Sequence, residues 1–223
     1  MSGDGRTSVT TSSEAARDPA GFLGNQRYLI DNSVFGRVAH PDVAPIWREG
    51  LKRQLFVTCS PFVLEALQSA ESAEDVQGLR EELTEGLPYV EPDNQTWELA
   101  FNAQQTMAAV SPGWHRASPV DFLLAVIAKR EGLTVLHYDY DYDKIKADGG
   151  LGFAAKWIAP AESLEGAGQQ PQVVRQLKRA IAHRLRAFRS HANEEQAHRD
   201  VVRALDEALR EAQIPPLPPP PAS

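Results

Sequence analysis

The chain has 223 residues, enough for one ordinary domain with a full hydrophobic core and some extensions. Apolar residues make up 42% of it and charged residues 24%, which is typical of a globular protein and excludes a disordered or fibrous one. The formal net charge of −7 excludes a generally basic surface, so any contact with a nucleic acid would need a local basic patch.

Cysteine usage and hydropathy narrow the class of protein further. The single cysteine, Cys59, excludes an internal disulfide and a multi-cysteine zinc site. Its apolar surroundings, LFVTCSPFVLEAL, predict a small core residue. No apolar run approaches the roughly 20 residues that a membrane span needs, and the first residues lack the apolar segment of a secretory signal. These patterns predict a cytoplasmic protein with no membrane contact.

Both ends of the chain differ in composition from the middle. Residues 1–24 are rich in Gly, Ser, Thr and Ala with scattered charges, which predicts a disordered leader. Residues 214–223 read IPPLPPPPAS. Because proline lacks the backbone N–H and fixes φ, this stretch predicts an extended polyproline tail. The folded domain itself is predicted over residues 25–160.

Within that domain, short apolar runs alternate with helical patterns. In chain order, the predicted elements are a strand in 27–35 that ends at Asp31, helix 41–54, strand 55–60, helices 61–70 and 73–86, an extended piece 87–92, helices 95–110 and 118–132, strand 133–138 and a last short strand in 156–160. Helix 95–110 is amphipathic, with Trp97 and Phe101 on its apolar face, and helix 118–132 is strongly apolar and ends at Gly132. Strands separated by helices predict a parallel sheet in an α/β layer fold.

Acidic residues stand at the ends of these apolar elements. Asp31 and Asp139 end strands, Asp121 lies in the first turn of VDFLLAVIA, and Glu65 interrupts the helix SPFVLEAL. In parallel α/β sheets, ligand sites form outside the carboxyl ends of the strands, where such acids meet. Four carboxylates in one pocket repel one another unless a divalent cation neutralises them. An all-oxygen ligand set suits Mg²⁺ or Mn²⁺.

Each acid also has a simpler interpretation when taken singly. Asp31 fits a turn, Asp121 fits the positive end of a helix dipole, and Glu65 and the run Asp139–Asp143 fit solvated surface. The joint pattern favours a metal site, because all four acids lie at equivalent ends of predicted elements.

Three segments resemble a known family: YLIDNSVF, VTCSPFVLEAL and HRASPVDFLLAVIAKREGLTVLHYDYDYDKIKA. Over about residues 26–160, the chain is similar to the PIN domain family of metal-dependent ribonucleases, especially the toxins of VapBC-type toxin–antitoxin pairs. The resemblance implies a three-layer α/β/α fold with a central parallel sheet of about four or five strands. A helical pattern over 171–213 would add a C-terminal helical extension that the basic domain lacks.

The resemblance also implies the residues of the site. The acids that match the family's catalytic quartet are Asp31, Glu65, Asp121 and Asp139. The expected ligands of Mg²⁺ (or Mn²⁺) are Asp31, Asp121 and either Asp139 or Asp141. Substrate contacts are expected from Ser33, at the family's hydroxyl position, and from His115 and Arg116, just before the helix that carries Asp121.

The function implied is an endoribonuclease that hydrolyses RNA phosphodiester bonds as the toxin of a type II toxin–antitoxin pair. Its expected partners are RNA, an antitoxin protein and a second copy of the chain. Two alternatives stay open: a PIN-like RNA- or protein-binding module without nuclease activity, and an RNA-processing nuclease with no antitoxin. The complete acidic quartet argues against the first, and the gene neighbourhood would decide the second.

The helical pattern over 171–213 leaves two interpretations. Its first half has an apolar stripe at helical spacing, and its other faces carry basic residues without an acid: Arg175, Lys178, Arg179, Arg184, Arg186 and Arg189. The basic face would extend an RNA-binding surface, or the stripe would pack against the domain or a partner. Packing is favoured, because the apolar stripe must be buried somewhere.

Overall fold

Parallel strands and helices alternate through the part of the chain that the structure, a computed structural model, describes: residues 14–111 and 113–164. The strands are β1 (Tyr28–Ile30), β2 (Phe56–Cys59), β3 (Tyr89–Val90), β4 (Thr134–His137) and β5 (Ala154–Trp157). The helices are α1 (Glu14–Arg17), α2 (Pro19–Leu23), α3 (Asn32–Phe35), α4 (Ala44–Lys52), α5 (Ser60–Ala66), α6 (Ala73–Glu85), α7 (Asn94–Val110), α8 (Pro119–Glu131) and α9 (Asp141–Asp148).

The strands form a single parallel sheet of five strands in the order β3-β2-β1-β4-β5. Its centre is buried on both faces: every residue of β1, β2 and β4 is buried. Such strands read as continuous apolar runs, because parallel sheets are covered by helices on both sides. The prediction of a parallel sheet of about four or five strands is confirmed.

The strand order reverses between β1 and β4. The chain first moves from β1 to β2 and β3 on one side, and then returns to place β4 and β5 on the other. Right-handed crossovers put the helices of these two halves on opposite faces of the sheet. Accordingly, α1 and α2 pack against α4, whereas α8 packs against α7 and α9. Helix α5, which follows β2 at the carboxyl edge of the sheet, also contacts α8. This arrangement confirms the predicted three-layer α/β/α fold.

Helix α8 is the most deeply buried helix segment among the described residues. Its eight residues from Asp121 to Ala128 are all buried. The helix is capped at its start by Ser118, whose hydroxyl oxygen accepts the N–H of Val120 at 3.2 Å. It ends at Gly132, which adopts the left-handed conformation with φ of 63° that favours glycine. The predicted bounds of this helix are therefore accurate, and they fix Asp121 in its first turn.

The prediction of a disordered leader over residues 1–24 is wrong for its second part. Residues 14–23 form α1 and α2, which pack against α4. Leu23 is buried, and its carbonyl accepts the hydroxyl of Tyr28 at 2.7 Å. Phe22 lies under the Lys156 ammonium group, 3.9 Å from the ring centroid. These contacts with distant parts of the chain stabilise helices that are too short to form alone.

Two further predictions need correction. The buried face of α7 consists of Thr96, Ala100, Ala103 and Met107, whereas the predicted apolar face is exposed: Trp97 by 43% and Phe101 by 56%. Small residues allow α7 to approach α8 closely, so they and not the large aromatics line the contact. The last strand also begins earlier than predicted, at Ala154, and ends at Trp157.

Gly50 in α4 gives a stability prediction. A Cβ atom there would lie 2.0 Å from Cζ of the Phe56 ring, which is buried and stacks on Trp47 at 4.8 Å. Gly50→Ala is therefore expected to destabilise the fold by about 1–3 kcal/mol in urea unfolding, despite the better helix propensity of alanine. The matched control is Gly78→Ala in α6, where a Cβ meets nothing within 4 Å. It should be stabilising by about 0.5–1 kcal/mol, and equal effects of the two substitutions would contradict the packing described.

Some predictions concern residues that the structure does not describe. These are the first thirteen residues of the predicted leader, the helical pattern over 171–213 and the tail over 214–223. Across residues 14–111 and 113–164, no helix combines the length and the apolar character that crossing a membrane requires.

Candidate active site

The candidate site lies at the carboxyl edge of the sheet, where the strand order reverses. Asp31 directly follows β1, and Asp139 lies two residues beyond the end of β4. These strands are neighbours in the sheet, and the Asp31 N–H donates to the carbonyl of Leu136 at 3.1 Å. In open α/β sheets, the crevice at this reversal is the usual place for a ligand.

Asp31 is buried and held from two sides. Only 3% of its surface is exposed. One carboxylate oxygen, Oδ2, accepts the backbone N–H of Ser33 at 2.7 Å and so caps α3. The other, Oδ1, accepts the hydroxyl of Tyr142 at 2.7 Å. These two donors fix the plane of the carboxylate while leaving further lone pairs on both oxygens.

Asp121 is the electrostatic centre of the site. It is 5% exposed, and burial raises the pKa of its carboxyl to about 8. The next causes, in decreasing order, are the negative charges of Asp31, Asp139, Asp141 and Glu65. Carboxylates act on one another in this way only at short range. The structure therefore brings all five predicted acids into one coupled group.

Glu65 reaches the group from α5. It is half-buried, and its pKa is raised by burial first, and then by the charges of Asp31 and Asp139. The sequence placed this glutamate inside an otherwise apolar helix, and the structure gives the reason: α5 packs against α8. One helix thus contributes both a core face and a carboxylate that faces the other acids.

Asp139 and Asp141 belong to the same turn. Oδ1 of Asp139 accepts the backbone N–H of Asp141 at 2.9 Å. The pKa of Asp141 is raised by burial and then by the charge of Asp139. Asp139 contributes more than Asp141 to the raised pKa of Asp121, and it is also the one of the two named among the causes for Glu65. Of the two, Asp139 is thus the more closely coupled to the other acids.

The chemistry of this donor set fits a hard divalent cation. All five groups are carboxylates, the ligand type that Mg²⁺ and Mn²⁺ prefer. The charged neighbours that raise the pKa of Asp121 are all negative, so a cation would relieve their repulsion. Within residues 14–111 and 113–164, no three His, Cys, Asp or Glu side chains lie close enough together to enclose an ion in this structure.

The three predicted substrate contacts are placed differently from one another. The Ser33 hydroxyl oxygen accepts the backbone N–H of Tyr138 at 2.8 Å, so it lies between β1 and β4 at the site. His115 is linked to α7, because its carbonyl accepts a hydrogen bond from Gln104 at 2.9 Å. Arg116 is exposed. Among the contacts of the described residues, none joins His115 or Arg116 to the acids.

Sequence reasoning did not identify the polar role of Tyr142. Tyr142 directly follows Asp141 in the chain, and its side chain is fully buried. Its hydroxyl nevertheless donates to an aspartate 111 residues away in the chain. A tyrosine buried this deeply usually finds a hydrogen-bond partner for its hydroxyl. This general rule was the signal in the sequence that could have indicated a polar role for Tyr142. The neighbouring His137, also fully buried, packs between Tyr142 and Trp157 at 4.8 and 5.0 Å.

Comparison with known proteins agrees with this geometry. The sequence model of the PIN domain family matches residues 28–148. The chain is 33% identical over 138 residues to Ribonuclease VapC18 of Mycobacterium tuberculosis, covering 61% of this chain and 98% of that protein. It is 33% identical over 122 residues to Ribonuclease VapC21, covering 54% and 87%. It is 30% identical over 143 residues to Ribonuclease VapC51, covering 62% and 98%. The chain therefore belongs to the PIN domain family.

Proposed function

We propose that this protein is an Mg²⁺- or Mn²⁺-dependent endoribonuclease and the toxin of a type II toxin–antitoxin pair. The observation that carries the proposal is the coupled group of five carboxylates around Asp121 at the strand-order reversal. Membership of the PIN domain family supports it, as do relatives that are named ribonucleases and VapC proteins.

In this proposal, Asp31, Asp121 and Asp139 hold the ion, and Asp141 is the alternative to Asp139. A bound divalent cation acidifies water for in-line attack on a phosphodiester and stabilises the charge that develops on the phosphate. Asp31 suits this role because Ser33 and Tyr142 fix its orientation. Asp121 suits it because the rigid first turn of α8 anchors it.

Glu65 and Ser33 complete the proposed machinery. Glu65 is half-buried and lies near enough to Asp31 and Asp139 for their charges to raise its pKa, so its carboxyl group stands beside the proposed ion. We assign it to the positioning of the attacking water. The Ser33 hydroxyl uses its oxygen to accept the N–H of Tyr138 and retains its own proton for donation to phosphate. His115 and Arg116 remain candidates for contact with the RNA backbone away from the acids.

The proposed partners follow from the same assignment. They are an RNA substrate, a cognate antitoxin and a second copy of the chain. A small antitoxin-like reading frame directly upstream of the gene is expected. If there is none, the alternative of an RNA-processing nuclease takes the place of the toxin.

Induced expression in a bacterial host tests the proposal. New RNA 5′ ends should appear within minutes for the wild type and should be absent for Asp31→Ala. Glu98→Gln, which changes an exposed acid of α7, should behave as the wild type does. With purified protein, cleavage should require Mg²⁺ or Mn²⁺ and stop on addition of EDTA. Equal cleavage by wild type and Asp31→Ala, or none by either, would leave the chain as a binding module.

A further inference from the structure

An exposed tyrosine stands between the acids of the site. Tyr140 lies between Asp139 and Asp141 in the turn after β4, and 51% of its surface is exposed. Its ring packs edge-on against Trp157, with centroids 5.0 Å apart and an interplanar angle of 69°. One large aromatic side chain beside the acids is thus both accessible and supported from one side.

Trp157 holds this pair in a fixed place. It is the last residue of β5, and its indole N–H donates to Oδ2 of Asp143 at 3.1 Å. The rings of Tyr138 and His137 lie 5.5 and 5.0 Å from it. Because the sheet and the start of α9 both anchor the indole, Tyr140 rests on a rigid base and loses little freedom when it binds a further ring.

A cation accompanies the aromatic residues. The Arg37 guanidinium lies over the ring of Tyr138, 4.7 Å from its centroid, and one of its N–H groups donates to the carbonyl of Ser33 at 2.8 Å. Tyr138 in turn donates its backbone N–H to the Ser33 hydroxyl beside Asp31. Within residues 14–111 and 113–164, Arg37 is seen to use one N–H group in a hydrogen bond. Arginine has five N–H donors, so others can meet an acceptor beside Ser33.

Aromatic rings and arginine next to a phosphate-processing site are the elements of single-stranded nucleic-acid recognition. Unpaired bases stack on aromatic side chains, and the backbone is held by basic groups. Bases inside a duplex are already stacked on one another and cannot make this contact without being extruded. Because Tyr140 is flanked in the chain by Asp139 and Asp141, a base stacked on its ring would lie in the neighbourhood of these acids.

We propose that Tyr140, supported by Trp157, is a base-stacking subsite for an unpaired nucleotide next to the scissile phosphate, with Arg37 on a neighbouring phosphate. The inference rests on the proposed nuclease function, which it deepens by naming how the RNA strand is held. Stacking acts on the substrate before and during reaction alike, so its loss changes KM and leaves kcat unchanged.

Binding is tested in the Asp121→Asn background with Mg²⁺, so that the RNA stays intact. The probe is a single-stranded RNA of about 12 nucleotides with 2-aminopurine at successive positions. Tyr140→Ala should weaken its binding about 5- to 150-fold and should abolish the quenching at one position. Tyr140→Phe should retain both, because the ring and not the hydroxyl stacks. The blunt duplex of the same sequence should bind equally to all variants.

The matched control is Trp97→Ala, an exposed aromatic on α7. Its neighbour Thr96 bonds Arg130 at the far end of α8 from Asp121, so this substitution should leave RNA binding unchanged. Unchanged binding by Tyr140→Ala, or equal losses in Tyr140→Phe, would overturn the subsite. So would a change in sedimentation coefficient in Tyr140→Ala, since Tyr140 would then be a protein contact. Metal-dependent cleavage by the chain with Asp121 intact, measured separately, decides the proposed function independently of stacking.

Discussion

Asp121→Asn is expected to make the metal-free protein more stable at pH 8 and to remove its cleavage activity. The substitution keeps the shape of the side chain but removes a buried negative charge that four other acids oppose. The same charge is one that the proposed ion needs. The charge of Asp121 therefore lowers the stability of the fold but serves the proposed function.

The sign of the pH dependence follows from the raised pKa. In the unfolded chain the carboxyl titrates near 4, whereas in the fold its pKa is about 8. Between these values the folded state binds the extra proton, so raising the pH destabilises the fold. By pH 8 the loss is roughly 2–5 kcal/mol. Asp121→Asn removes this loss, and in EDTA its Tm at pH 8 should exceed that of the wild type by about 4–20 °C.

Thermal unfolding at pH 5 and pH 8, with EDTA or with Mn²⁺, checks the prediction. At pH 5 the difference in Tm should be much smaller than at pH 8, because most of the pH range in which only the folded state retains the proton of Asp121 lies above pH 5. Mn²⁺ should raise the Tm of the wild type and have a smaller effect on the variant. Glu98→Gln removes an exposed charge and should behave as the wild type does at both pH values and with Mn²⁺. Equal Tm values at pH 8 for wild type and Asp121→Asn would contradict the buried repulsion.

The activity of Asp121→Asn should fall further than the activity of variants that remove only a hydrogen-bond partner of a metal ligand. Loss of an outer hydrogen-bond partner of a metal ligand costs about 10–100-fold. Because Asp121 is proposed to bind the ion itself, its replacement should cost about 100-fold or more in kcat/KM. Single-turnover cleavage at saturating Mn²⁺ measures this loss.

The centre of the fold was predictable because its sequence pattern is local. The runs that became β1, β2 and β4 are short and apolar, as strands covered on both faces must be. The acids that follow or interrupt these runs then share one edge of the sheet by topology alone. The spacing of Asp31 and Asp139 relative to their strands therefore predicted their proximity before any contact was known.

The missed features depend on contacts between distant parts of the chain. Helices α1 and α2 have a polar, alanine- and glycine-containing sequence, and they form because Leu23 docks into the core. On α7, the sequence offered Trp97 and Phe101 as the apolar face, but the close approach of α8 selected Ala100 and Ala103 instead. Periodicity measures which residues share a face, and it does not measure how near the partner helix comes.

The hydrogen bond from Tyr142 to Asp31 also joins distant parts of the chain, so the sequence pattern did not predict it. It is expected to affect metal binding. Replacing Tyr142 by phenylalanine should weaken Mn²⁺ binding about 10–100-fold. The phenylalanine ring fills the same space, so the buried packing around His137 and Phe153 remains. What changes is Asp31, whose Oδ1 loses its donor and is then held by the Ser33 N–H on Oδ2 alone. A carboxylate with one fixed oxygen can rotate away from the ion.

A matched substitution separates this effect from simple loss of stability. Tyr28 is equally buried, and its hydroxyl donates to the carbonyl of Leu23 at 2.7 Å, at the opposite end of β1 from Asp31. Tyr142→Phe removes the buried hydrogen bond to Asp31. Tyr28→Phe removes the buried one to Leu23 and a second, partly buried one that the hydroxyl accepts from Gln26. Each substitution should cost about 1–3 kcal/mol in unfolding free energy. The affinity for Mn²⁺, measured by electron paramagnetic resonance without RNA, should fall for Tyr142→Phe alone. If the two variants bound Mn²⁺ equally well, Tyr142 would be a packing residue only, and the orientation of Asp31 would rest on Ser33.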